Sequence, residues 1–149
     1  MHATPAHTRY TEATYALMRF VLGALFLCHG VQKLFGAFGE PAAGKPLMMA
    51  GGVIELLAGL LIALGLMTRA AAFIASGEMA VAYLMSHAPK GLWPIANGGE
   101  KAVLYCFAFL FMAAYGGGAY SLDAVFRRAP VDARETDVVP QVTAAAPRV

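Results

Sequence analysis

The sequence predicts an all-α integral membrane protein: a bundle of four transmembrane helices with both termini in the cytoplasm. Three observations carry that expectation. Only 13% of the residues are charged and 59% are hydrophobic, with a mean hydropathy of +0.61. A soluble domain carries about 25% charged residues. The apolar residues gather into four segments near the roughly 20 residues that a bilayer core demands. In a chain of 149 residues, four such segments leave no room for a separate soluble domain. Finally, the basic residues sort by type along an alternating path. Arg9, Arg19, Arg69, Arg127, Arg128 and Arg134 fall on one side, and Lys33, Lys45, Lys90 and Lys101 on the other. The excess lies with the termini, which the positive-inside rule assigns to the cytoplasm.

Residues 1–14 read as a polar N-terminal lead. The first helix is expected over about Tyr15–Phe35. No A-x-A-like site interrupts its apolar run, so it is expected to remain uncleaved. Gly36–Pro46 is dense in Gly and Pro and reads as a loop. The second helix is expected over Leu47–Met67, with Glu55 as its single charge. Thr68-Arg69 then reads as a short turn that makes helices two and three antiparallel neighbours. The third helix is expected over Ala70–Ser86, stopped by Pro89. Trp93, an interfacial residue type, lies in the following loop. Asn97 and Glu100 have capping-box spacing before a fourth helix over Gly98–Ala114. Tyr120–Asp123 reads as the start of a short interfacial helix. The chain thus divides into the lead, a transmembrane domain over 15–126, and a disordered cytoplasmic tail over 127–149.

An ionisable group inside a membrane is costly and needs a partner or a task. His29 and Lys33 are four residues apart and share one helix face. At about 1.5 Å per residue, His29 lies roughly 6 Å outward of the midplane and Glu55 roughly 3 Å outward. Glu78 falls near the middle of helix three, and Lys33, His87, Glu100 and Lys101 gather at the outer boundary. Gly52, Glu55 and Gly59 share a face of helix two. Ala71, Ala75, Glu78 and Ala82 share a face of helix three. Small residues let membrane helices approach closely, so both carboxylates are expected to face the interior. The candidate proton relay is Glu55, His29 and Glu78. The candidate ligand-binding set is His29, Lys33, Glu55, His87 and Glu100. His87 sits about half a turn from Glu78 and joins the set only if the helix distorts before Pro89.

Structural readings stand beside these. Glu55 could neutralise a buried cation, His29 could make an interhelical hydrogen bond, and Lys33 could snorkel. Glu100 and Asp123 could cap helices. Cys28 and Cys106 read as small buried hydrophobes; a disulfide requires helices one and four to bring them together. A His29–His87 haem pair is disfavoured by their different depths. No iron–sulfur cysteine pattern or dinucleotide loop occurs, and no metal-ligand set emerges. A net charge of +2, without a basic run flanked by aromatics, argues against nucleic acid.

Five motifs, in order, resemble the DoxX family of small inner-membrane proteins. They are His29-Gly-x-x-Lys33, Gly52-x-x-Glu55-x-x-x-Gly59, Gly65-Leu-Met-Thr-Arg69, Asn97-Gly-Gly-Glu100 and Gly118-Ala-Tyr-Ser-Leu-Asp123. The resemblance spans Arg19 to Phe126. It implies a four-helix, multi-pass protein of the inner (plasma) membrane. The family name derives from a subunit associated with quinone-linked sulfur oxidation, and other members are tied to membrane oxidoreductase complexes that handle oxidative or thiol stress. The leading expectation is therefore a membrane subunit of a quinone-linked oxidoreductase. It would hold a quinone, or another small hydrophobic ligand, in an outward-side polar pocket. No intrinsic electron carrier is expected, so electrons would come from a soluble or membrane redox protein. A small-molecule or proton-coupled transporter is one alternative. A non-enzymatic scaffold that recruits soluble redox partners is another. Besides the lipid bilayer, a second copy of the chain is an expected partner.

Overall fold

The computed structural model describes residues 6–39 and 42–128. They form α1 (Ala6–Phe35), α2 (Pro46–Leu64), α3 (Thr68–Ser86), a 3-10 turn (Ala88–Lys90), α4 (Pro94–Asn97), α5 (Glu100–Tyr115) and α6 (Leu122–Arg128). No strand occurs among the described residues. Of the tail expected over 127–149, residues 127 and 128 instead close α6; the rest of it, and the first five residues of the lead, lie outside the described residues.

Helix α1 begins at Ala6 rather than Tyr15. Its early turns are held by the far end of the chain. The carboxylate of Glu12 accepts hydrogen bonds from the Tyr115 hydroxyl and, at 2.7 Å, from the Ala119 N–H. The apolar stretch Thr8–Phe35 has 28 residues, a length of about 42 Å. That exceeds a hydrocarbon core of about 30 Å. The first turns therefore project beyond the apolar layer, where Glu12 can carry its charge.

Helix α2 starts with Pro46, whose missing N–H costs nothing at a first helical position. It ends at Leu64, earlier than expected. Gly65 takes the left-handed conformation at φ 70°, its N–H bonds Ile62 O, and the Leu66 N–H bonds Leu61 O. This is the Schellman arrangement, and it closes α2 at a glycine rather than at Met67. Helix α3 starts at Thr68, not Ala70. Its N-cap position is Met67, which offers no capping oxygen. Asp123 supplies one from α6. Its carboxylate accepts from the N–H of Met67 at 2.8 Å, the N–H of Thr68 at 3.0 Å and Thr68 Oγ1 at 2.8 Å. The Asp123 N–H returns a bond to Gly65 O at 2.9 Å. So α6 fastens the α2–α3 turn, and Asp123 is a cap for a helix distant in sequence.

The capping box at α5 does not form. Asn97 is the last residue of α4, and Gly98 turns the chain in the left-handed conformation at φ 73°. Asn97 Oδ1 accepts from the Gly99 N–H at 2.8 Å, and its amide donates to Gly91 O at 2.8 Å. It is spent on the loop. Gly99 becomes the N-cap of α5, and Glu100 stays exposed in the first turn.

Helices α1 and α2 meet backbone to backbone. A Cβ built on Gly59 would lie 2.5 Å from Leu27 N, and one on Gly23 2.5 Å from Ala63 N. Gly30 and Gly52 repeat the contact seven residues along each helix. Helix α3 packs closely on α5, where Ser76 Oγ donates to Cys106 O at 2.8 Å. Phe26, Ile62, Phe109 and Met112 are fully buried where the helix pairs meet. The rings of Phe26 and Phe109 stand edge to face, with centroids 4.7 Å apart.

The outward surface is apolar. Phe20, Leu57, Phe73 and Phe107, one on each long helix, are all more than half exposed. A soluble monomer seldom shows apolar patches beyond a few hundred Å². Among the described residues, Thr8–Phe35 and Pro46–Leu64 are long and apolar enough to cross a membrane.

Two outcomes test this packing. Gly59→Ala should lower the melting temperature in detergent, at a cost of about 1–3 kcal/mol. Gly77→Ala, whose Cβ meets nothing within 4 Å, should be neutral or stabilising by up to about 1 kcal/mol. Partial burial pushes the Asp123 carboxyl up. The bonds from Thr68 and Met67, with the Arg127 charge, outweigh burial and hold it below its ordinary value of 3.8. Its contribution is therefore complete above that value and is lost as pH falls through the lower folded value. Asp123→Asn should cost about 1 kcal/mol at neutral pH and flatten the acid limb of a stability–pH curve.

Candidate functional site

The polar cluster is built where α1 and α2 touch. The stem of Lys33 lies on Gly52, where an added Cβ would sit 3.0 Å from Lys33 Cβ. That close approach carries Lys33 Nζ to Glu55 Oε1 at 2.8 Å. Glu55 is 3% exposed, whereas the Lys33 side chain is 25% exposed. The ion pair is thus buried at its acidic end and opens outward at its basic end.

Helix α3 adds a second acid. A Cβ on Gly51 would lie 3.1 Å from Glu78 Oε1 and 3.7 Å from Lys33 Nζ. Lys33, Glu55 and Glu78 therefore converge around Gly51, and each acts electrostatically on Glu78 or is acted on by it. The ammonium pairs with Glu55 and acts on Glu78 through space. Glu55 Oε2 and Glu78 Oε2 are buried without a hydrogen-bond partner. A buried acceptor left unpaired costs about 1–3 kcal/mol, so both oxygens are poised for a proton or a donor.

His29 and Tyr105 form the next layer. Their rings meet edge to face with centroids 6.2 Å apart. Both lie within electrostatic reach of Glu55. Tyr105 in turn stacks on Phe109 at 5.4 Å, which ties the cluster to the apolar core. Tyr105 was not among the residues singled out from sequence. Its signal is its place on the seam of α5 with Phe109 and Met112, at i, i+4 and i+7.

Four of the expected site residues are thus assembled: His29, Lys33, Glu55 and Glu78. Two are not. His87 caps the end of α3, where Nδ1 lies 3.2 Å from Asn97 O and the ring stacks on Tyr83. The half-turn offset from Glu78 persists, because α3 stays regular to Ser86. Glu100 is exposed in the first turn of α5. Cys28 and Cys106 are free thiols. Among the described residues, no three His, Cys, Asp or Glu side chains are grouped to hold a metal ion.

The opposite end carries a buried arginine that the sequence marks only as one of the basic residues of the cytoplasmic side. Arg19 is 3% exposed. Its guanidinium donates to Ile62 O, to Ala63 O at 2.8 Å and to Tyr120 O at 2.9 Å. Ile62 and Ala63 belong to the last turn of α2, whose carbonyls have no partner within the helix. Arg19 satisfies them and complements the negative end of the helix dipole. The signal was an arginine inside an apolar run.

The DoxX family model matches residues 14–88, from the first helix through the third. An uncharacterized protein of Haemophilus influenzae is 43% identical over 126 residues, covering 79% of this chain and 94% of that protein. The chain belongs to the DoxX family. An uncharacterized membrane protein of Mycobacterium tuberculosis is 28% identical over 126 residues, covering 71% of this chain and 77% of that one. No solved structure matches this DoxX protein. The family match spans Lys33, Glu55 and Glu78, so the ion pair and its second acid lie in the matched part of the chain.

Removing one partner of a buried pair strands the other charge. Lys33→Met should destabilise the protein by about 2–4 kcal/mol, towards the lower end because Lys33 is partly solvated. The double variant Lys33→Met/Glu55→Leu should recover much of that loss. Thermal melts of the wild type and the two variants in one detergent check it.

Proposed function

We propose that this DoxX protein is a four-helix inner-membrane subunit, with both termini cytoplasmic, that binds a quinone or quinol head between α1, α2 and α3. The observation that carries this reading is the pair of buried, partnerless oxygens, Glu55 Oε2 and Glu78 Oε2, beside the Lys33 ammonium. Hydroxyl donors of a quinol complement the two acceptors. The Lys33 ammonium and the His29 ring offer donors to a quinone carbonyl. A quinol carries two protons and two electrons. This chain's part is to hold the polar head and to take up or return protons at Glu55 and Glu78. The electrons pass to or from a partner redox protein.

The route in runs past Lys33, the exposed member of the ion pair. The apolar flank formed by Val53 and Leu57, both partly exposed on α2, suits an isoprenoid tail in lipid. The basic residues Arg9, Arg69 and Arg127 lie at the end opposite the cluster, and the positive-inside rule supports an outward side for the proposed pocket. A transport reading fits less well. Phe26, Ile62, Phe109 and Met112 are fully buried, so the interior between the acids and Arg19 is mainly apolar.

Purification from native membrane in mild detergent, followed by lipid extraction, tests the proposal. Near-stoichiometric quinone should accompany the wild type. Glu55→Gln and Glu78→Gln should weaken retention by about tenfold or more, while Gly77→Ala retains it. Wild-type protein that carries no quinone, and whose melting temperature is unmoved by added quinone, would overturn the reading.

A further inference from the structure

The end of the molecule far from the acids holds a cleft of about 470 Å³, walled by the α2–α3 turn, the end of α5 and α6. It is an open groove rather than an enclosed cavity. Two guanidinium groups line it, those of Arg69 and Arg127. The Arg69 side chain lies along Gly116, where an added Cβ would come within 3.2 Å of Nε. Arg127 Nε donates to Asp123 O, which holds its stem to α6.

The acid in the cleft is already engaged. The carboxylate of Asp123 takes three hydrogen bonds from Met67 and Thr68. The cleft therefore carries two cationic forks and one carboxylate committed to capping α3. At its lip stand Met67 and Phe126, 62% and 65% exposed. Exposed cationic forks beside exposed apolar side chains match an anionic headgroup with acyl chains. Guanidinium forks suit phosphate geometry, and basic pockets between membrane helices recognise anionic headgroups.

We propose that this cleft binds the phosphate of an anionic phospholipid headgroup, held by Arg69 and Arg127. The lipid, rather than soluble phosphate, is the occupant, because the apolar rim opens at the end of the membrane-crossing helices. Bound there, it bridges the α2–α3 turn to α6 and reinforces the contact that Asp123 makes. The site is separate from the acid cluster and stands whether or not that cluster binds quinone.

The test uses the full chain, purified in detergent and stripped of lipid. Phosphatidylglycerol, phosphatidylcholine or inorganic phosphate is then added, with native mass spectrometry and thermal melting as readouts. Phosphatidylglycerol should bind at about one per chain and raise the melting temperature, and phosphatidylcholine should not. Arg69→Gln and Arg127→Gln should each weaken phosphatidylglycerol binding by about tenfold or more. Arg9→Gln removes an exposed charge at the same end without touching the cleft, and should change it far less. Three results would overturn the proposal. One is an equal loss in Arg9→Gln, which marks diffuse surface charge. Another is stabilisation by inorganic phosphate but not by phosphatidylglycerol, which marks a soluble ligand. The third is lipid binding indifferent to Arg69 and Arg127.

Discussion

The approach of α1 and α2 at glycine distance governs this molecule. Gly23, Gly30, Gly52 and Gly59 let the two backbones touch. Only at that separation does the Lys33 stem lie flat on α2 and deliver its ammonium to a carboxylate that is itself almost wholly buried. In lipid, neither charge could be left alone. The glycines make the ion pair possible, and the ion pair fixes the rotation of each helix about its axis. Packing and electrostatics constrain each other at one place.

The two ends of the molecule solve different problems. At the acid end, two carboxyl groups and one ammonium come together with two carboxyl oxygens unpaired, so the hydrogen-bonding capacity is unbalanced. At the other end, capacity is nearly exhausted. Arg19 takes the last carbonyls of α2, Asp123 takes the first N–H groups of α3, and Tyr15 donates its hydroxyl to Gly116 O. Helix termini in a low-dielectric medium demand such partners. The capped end leaves one buried donor over, Arg19 Nε, and the acid end leaves two buried acceptors, Glu55 Oε2 and Glu78 Oε2. A cleft at the capped end remains, with guanidinium groups whose charge exceeds what Asp123 absorbs.

That division frames the quinone proposal. Membership of the DoxX family and a membrane location are established by sequence similarity and by the apolar outer surface. A redox role is a further step, which rests on two partnerless oxygens and on one ammonium that faces outward. The cluster is compact and enclosed. Its partly solvated member is the lysine.

The sequence by itself determined that this is a helical membrane protein, because composition and segment length are properties of the chain alone. It also marked His29, Lys33, Glu55 and Glu78, because charge in an apolar segment is conspicuous wherever the segment lies. It misjudged the ends of helices. Gly65 rather than Met67 stops α2, and Asn97 serves a loop rather than the start of α5, since caps are chosen by whichever donor or acceptor arrives in space. Asp123 caps α3 from more than fifty residues away, and Arg19 serves carbonyls of another helix. Hydropathy is read one residue at a time, whereas a partner is settled only when two backbones come close enough to choose it. Which charges met, which oxygens were left over, and that Tyr105 joined them were decided by the tertiary structure.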